Sequence, residues 1–179
     1  PLISGDKFFR FPFLREGQDA KTRDQIRNWL KTNKFKNGFV SIDNDDYLVS
    51  FKIKKALSEH KKINYEQVKN IWLNHLLGAV NYYDKTAIKV LGRSPKHVIL
   101  LHEMDATVMF IGDLVTALRK DGWKIINPID AYSDPIYEET PSSFYTGNGL
   151  IPQLAEDRGL GYFAYNDELE KHLDEVLAH

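Results

Sequence analysis

The sequence predicts an α/β fold with a mostly parallel sheet, closed as a distorted (β/α) barrel. Three observations point there. Val98-Ile99-Leu100-Leu101 is an unbroken apolar run between Lys96 and His102, the pattern of a parallel strand buried on both faces. Short extended stretches, aromatic or β-branched, recur at 8–11, 38–42 and 123–126. Segments with helical spacing separate them, and strands alternating with helices imply a parallel sheet or a barrel.

The elements follow in order. Phe8-Phe9-Arg10-Phe11 reads as a strand that stops at Pro12, which has no N–H for a central ladder. Arg15-Glu16-Gly17 breaks the chain, and a helix over 21–32 turns Ile26, Trp29 and Leu30 to one face. That patterning assigns Trp29, and Trp123 later, to packing rather than to sugar stacking. Gly38-Phe39-Val40-Ser41-Ile42 is the next strand, and it runs into the acidic cluster Asp43-Asn44-Asp45-Asp46-Tyr47. Residues 52–92 are helical, with Val68, Ile71, Trp72, Leu76, Ala79 and Tyr83 recurring at threes and fours. Asn64 fits the N-cap of the main helix and Gly92 its stop. Residues 52–97 thus form a helical insertion within one domain spanning 1–179. Beyond strand 98–101, Asp105 caps a helix to about residue 120 that Gly122 ends. Strand 123–126 closes at Asn127-Pro128, residues 133–149 are loop, and a last helix covers 167–177.

Composition narrows the function. The 179 residues hold 24 Lys+Arg and 25 Asp+Glu, a net charge of −1, which gives no electrostatic reason to expect a nucleic-acid partner. No apolar run is long enough to span a bilayer. Cysteine is absent, which removes disulfides, thiolate nucleophiles and Cys-based zinc sites. The opening Pro1-Leu2-Ile3-Ser4-Gly5-Asp6 is neither an initiator nor a signal peptide, so the chain reads as begun mid-stream.

Chemistry in parallel α/β folds gathers at the carboxyl ends of strands. Arg10, the acidic cluster at 43–46 and His102 sit at such ends. A His beside a carboxylate makes a general acid able to protonate a leaving group. An Arg orients a further carboxylate through a bidentate pair.

Phe9-Arg10-Phe11-Pro12-Phe13, then Ser41-Ile42-Asp43-Asn44-Asp45-Asp46-Tyr47, then Val98-Ile99-Leu100-Leu101-His102 resembles the polysaccharide deacetylase family of chitin, xylan and peptidoglycan deacetylases. These stretches stand in order as that family's third, fourth and fifth motifs: Arg-x-Pro-Tyr/Phe, Asp-x-x-Asp-Trp and Leu-x-His. Residues 113–137 also resemble its closing helix, Gly-Trp, strand, Asp-Ala-Tyr and Asp-Pro. The resemblance implies metal-dependent hydrolysis of N- or O-acetyl groups on a polysaccharide, secreted or periplasmic. It implies His102 as the general acid, Asp46 as its partner and Arg10 as the residue holding the base. It gives the Phe13 N–H the role of oxyanion donor, and Pro12, Phe13 and Tyr47 that of pocket walls. Tyr47 replaces the family's Trp.

The family's first two motifs, which carry the base and the ligands of a divalent metal, zinc above all, have no counterpart here. His97 and His102 alternate to opposite faces, and His60, His75, His172 and His179 are isolated in sequence. Two explanations fit. The chain is the later part of a deacetylase whose amino-terminal half supplies base and metal. Alternatively, it is a catalytically inactive carbohydrate-binding or structural module of the same fold.

Overall fold

Helices, not strands, carry the core. The computed structural model describes residues 7–143, 149–161 and 163–177. Its elements are β1 (Lys7–Phe9), a 3₁₀ turn Pro12–Leu14, α1 (Ala20–Thr32), β2 (Phe35–Asn37), α2 (Asp46–Ser58) and α3 (Tyr65–Leu91). There follow α4 (Asp105–Lys120), α5 (Pro128–Tyr132), a 3₁₀ turn Pro135–Glu138, α6 (Leu150–Asp157) and α7 (Leu169–Leu177).

The helices form where the periodicity favours them. Asn64 caps α3 by accepting the Gln67 N–H at 3.2 Å, and Gly92 ends it in the left-handed region at φ 75°. The α3 face bearing Val68, Trp72, Leu76, Ala79 and Tyr83 is at most 1% exposed. It packs against α2, α4, α6 and α7 in one apolar cluster. Asp105 opens α4 as its first residue, one place after the N-cap Met104.

The expected barrel is not formed. β1 and β2 pair in parallel over three residues, Lys7 opposite Phe35 to Phe9 opposite Asn37, and make a two-stranded sheet. Segments 38–42 and 98–101 run side by side but share only the parallel bridge Ile42–Ile99. Their ladder consists of the Ser41 and Ile42 N–H groups on Val98 O and the Leu100 N–H on Ile42 O. Segment 123–126 is no strand. The Trp123 N–H folds back onto Leu118 O, and Ile125 and Ile126 stay 51% and 41% exposed. An apolar cavity of about 320 Å³, touched by Ile42, Ile99, Leu118 and Trp123, lies along this side. A barrel closes only when every strand pairs on both edges with a common tilt. Three-residue strands and a single bridge cannot do that, so burial falls to the helices.

Four elements depart from the sequence expectation. β2 follows α1 where no strand was expected. α2 begins at Asp46, so the acidic cluster is a helix start and not merely a strand end. α5 begins at Pro128, where only a strand end is expected, and α6 lies beyond the loop expected over 133–149, in a stretch assigned no element. In α6, Leu150, Ile151, Pro152, Gln153, Leu154 and Ala155 are all buried, and its eight residues are too short a window for helical spacing to separate it from a turn. The expected turn at Gly147 and Asn148 lies outside the described residues, as does His179. Trp29, expected in the core, stands on the outside of α1, 58% exposed, with its ring stacked on Phe35 at 6.1 Å. No helix among the described residues is long and apolar enough to cross a membrane.

Candidate functional site

Two segments 56 residues apart in sequence build the centre. The short ladder sets loop 43–46 beside the end of segment 98–101. Asp46, the first residue of α2, buries its carboxylate completely. Its Oδ1 lies 2.6 Å from His102 Nδ1. Its Oδ2 accepts the His102 backbone N–H at 2.9 Å and the Thr107 hydroxyl at 3.2 Å. The start of a helix also favours negative charge. The carboxylate thus fixes both the ring and the backbone of His102. With Nδ1 taken, Nε2 is the atom left for proton exchange, and the imidazole is 39% exposed.

That imidazole lines a cleft of about 210 Å³ together with Phe13, Arg15, Asp43, Asp45 and Tyr47. The Tyr47 ring meets the His102 ring edge-on at 5.3 Å. Phe13 and Leu14 both adopt positive φ, 53° and 55°. Backbone of that kind is costly and collects at functional sites. It leaves the Phe13 ring 86% exposed at the cleft.

Asp43 is a second titrating group on this wall. Burial pushes its carboxyl up to about 6; the Asp45 and Asp46 charges push the same way, while the Asn44 N–H and His102 oppose them. The Tyr47 hydroxyl is also pushed up, first by burial and then by the Asp45 charge, so it stays protonated.

Not every expected residue arrives. Arg10 donates from Nε to Gly38 O at 3.0 Å and from its terminal nitrogen to the Tyr132 hydroxyl at 3.1 Å, and it engages no carboxylate among the described residues. Pro12 lies in the turn beside the cleft but not on its wall. Phe13, Tyr47, Asp46 and His102 do come together.

Two residues of the site were not foreseen in role. Asn44 donates to Leu100 O at 2.7 Å and accepts the Asp46 N–H at 2.9 Å, which ties the loop to the ladder and starts α2. Its signal was legible, since Asn readily bonds the backbone two residues on. His75, isolated in sequence, is 2% exposed and accepts the Asp45 N–H on Nε2 at 3.1 Å. Nothing local in sequence announces a contact 30 residues away.

A second His-carboxylate run lies nearby. Ser41 Oγ is 3.0 Å from His97 Nδ1, and His97 Nε2 is 3.2 Å from Asp84. Ser41 is 0% exposed, and its Oγ also accepts the Val98 N–H and the Tyr137 hydroxyl. A saturated, sealed hydroxyl is not a nucleophile. This run fastens segment 38–42 to segment 98–101, and burial pushes the His97 imidazole below its ordinary value despite Asp84.

Among the described residues, no three His, Asp or Glu side chains converge to hold a metal ion. The donor set does not fit the divalent ion that the motif resemblance implies. Comparison of the chain with protein-family models, with curated proteins and with solved structures finds no significant match in any of the three.

Proposed function

We propose that the cleft is the general-acid part of a hydrolase site that removes N- or O-acetyl groups from a polysaccharide. The observation that carries this reading is His102 held by the wholly buried Asp46, with Nε2 left for the cleft. The three motifs that resemble polysaccharide deacetylases support it, because Asp46, Tyr47, Phe13 and His102 gather at one place. When a water adds to the acetyl carbonyl, the bond to the sugar oxygen or nitrogen breaks as the leaving atom takes the proton from His102 Nε2. Acetate and a free hydroxyl or amine result. Asp46 holds the imidazole in one tautomer and steadies its cation. Phe13 and Tyr47 supply apolar walls suited to an acetyl methyl and a sugar face.

The water's proton needs a carboxylate base. The resemblance assigns that base, and the metal ligands, to an amino-terminal polypeptide segment beyond these residues. Of the two carboxylates on the cleft wall, Asp43 and Asp45, Asp43 is the one that burial pushes up to about 6. Acetylated polymers of this kind lie outside the cytoplasm, which is where the reading places the protein.

The test is acetate release from acetylated xylan and chitin oligosaccharides, with and without zinc, by the protein plus any polypeptide that co-purifies with it. His102→Ala and Asp46→Asn are each expected to slow release at least about tenfold with the fold retained. Binding of the glycans without acetate release, undisturbed by either substitution, would replace this reading with a non-catalytic carbohydrate-binding module.

A further inference from the structure

Beside the loop that carries Asp46, four groups from three separate parts of the chain are joined in a line. The Asp45 backbone N–H donates to His75 Nε2 at 3.1 Å. An accepting Nε2 carries no proton, so the proton of neutral His75 sits on Nδ1. Both oxygens of Asp167 lie 2.9 Å from that Nδ1 and receive it. The Tyr165 hydroxyl donates in turn to Asp167 Oδ2 at 3.0 Å, and its ring centroid lies 5.4 Å from that of His75. Burial, reinforced by the Asp167 charge, raises Tyr165 far above an ordinary phenol, so this donor keeps its proton.

The line has been given room. Gly78 is one turn beyond His75 on the same face of α3, and a Cβ there would overlap the Tyr165 hydroxyl. Asp45 meanwhile has no side-chain cap bond of its own at the start of α2. Its N–H is held by the imidazole alone among the described residues, one residue before the carboxylate that orients His102.

We propose that His75, fixed in its Nδ1–H tautomer by Asp167 and Tyr165, is a positioning residue for the Asp46–His102 pair. It pins the backbone of Asp45 and so sets where the Asp46 carboxylate stands. The proposal rests on reading that pair as the acid of the site. His75 touches neither the cleft nor any reacting atom; it acts through the loop. Asn44 holds the same loop through Leu100 O.

The experiment is nuclear magnetic resonance on the ¹⁵N-labelled chain at fixed neutral pH. Two signals are read: the scalar coupling across the Asp45 N–H to His75 Nε2 bond, and the deshielded Nδ1 proton of His102 against Asp46. Wild type is expected to show both. His75→Leu is expected to lose both while keeping the helical circular dichroism of wild type. His75→Gln, whose amide oxygen can replace Nε2 as acceptor, is expected to restore the His102 proton. Should His75→Leu fail to fold, Gly78→Ala takes its place. It displaces the Tyr165 hydroxyl from Asp167 without touching His75 and is expected to weaken both signals. Asp46→Asn is the reference. A His102 proton unmoved by Asp46→Asn would overturn the dyad and the proposal with it. A His102 proton lost in Asp46→Asn but intact in folded His75→Leu would overturn the positioning role alone.

Discussion

Asp43 and Asp134 are the same side chain in two settings that push it in opposite directions. Burial of Asp43 outweighs the Asn44 N–H and His102, which oppose it, Asp45 and Asp46 add to it, and the carboxyl rises to about 6. Asp134 is also buried, which by itself would raise it. The Arg93 guanidinium and the Lys96 and Ile136 N–H groups outweigh that and bring it down to about 2. For Asp43 the folded state holds its proton more tightly than the unfolded state does. Its contribution to stability is therefore present below an ordinary carboxyl value and lost as pH rises through about 6. Asp43→Asn removes that loss. The variant is expected to gain on wild type by the order of 2–3 kcal/mol between pH 4 and pH 8, read by urea denaturation at both. A difference that stays constant with pH would contradict the buried, repelled carboxylate described here.

Among the elements, α6 depends on the residue before it. Gly149 adopts φ 80°, and a Cβ there would come within 2.6 Å of Val40 O, which also accepts the Leu150 N–H at 2.7 Å. A side chain would push α6 off segment 38–42. Gly149→Ala is expected to cost more than about 1 kcal/mol, seen as a lower thermal midpoint, whereas Gly92→Ala meets only the backbone penalty because nothing lies near its Cβ. Equal midpoints for the two variants would show that the close approach to Val40 is not maintained. α3 shows the contrary case, in which periodicity, N-cap and C-terminal glycine all agree, and the element stands where the sequence places it.

At the scale of the whole molecule, Asp134 joins its own turn to the stretch that follows α3. Arg93 after α3 donates to both its oxygens at 2.9 and 2.6 Å, and the Lys96 N–H reaches it at 2.9 Å. The Ile136 N–H of the following turn is at 3.2 Å. A carboxyl lowered in the folded state stabilises above its unfolded value and loses that contribution as pH falls through about 2. Asp134→Asn is expected to cost about 2 kcal/mol at pH 7, with the deficit closing towards pH 2, measured by denaturant titration at each pH. A deficit equal at both values would mean that the Arg93 pair contributes packing alone.

The sequence by itself determined α1, α3, α4 and α7, because a single amphipathic face at helical spacing is a local property of the chain. It also marked His102, Asp46, Phe13 and Tyr47, since strand-end and motif positions can be read without partners. Tertiary structure decided the rest. A strand exists only when another pairs with it, so Val98-Ile99-Leu100-Leu101 and 123–126, strand-like by composition, yield one bridge and none. Where no sheet closes, the helices take the core and the expected barrel gives way to a helical body. α6, with eight residues, is shorter than the stretch over which helical spacing can be read. Arg10 found a carbonyl and a phenol where a carboxylate was expected. His75, 30 residues from Asp45 and 92 from Asp167, became part of the site's support only through folding. Hydrogen bonds across such distances depend on which helix packs where, and no local pattern encodes that.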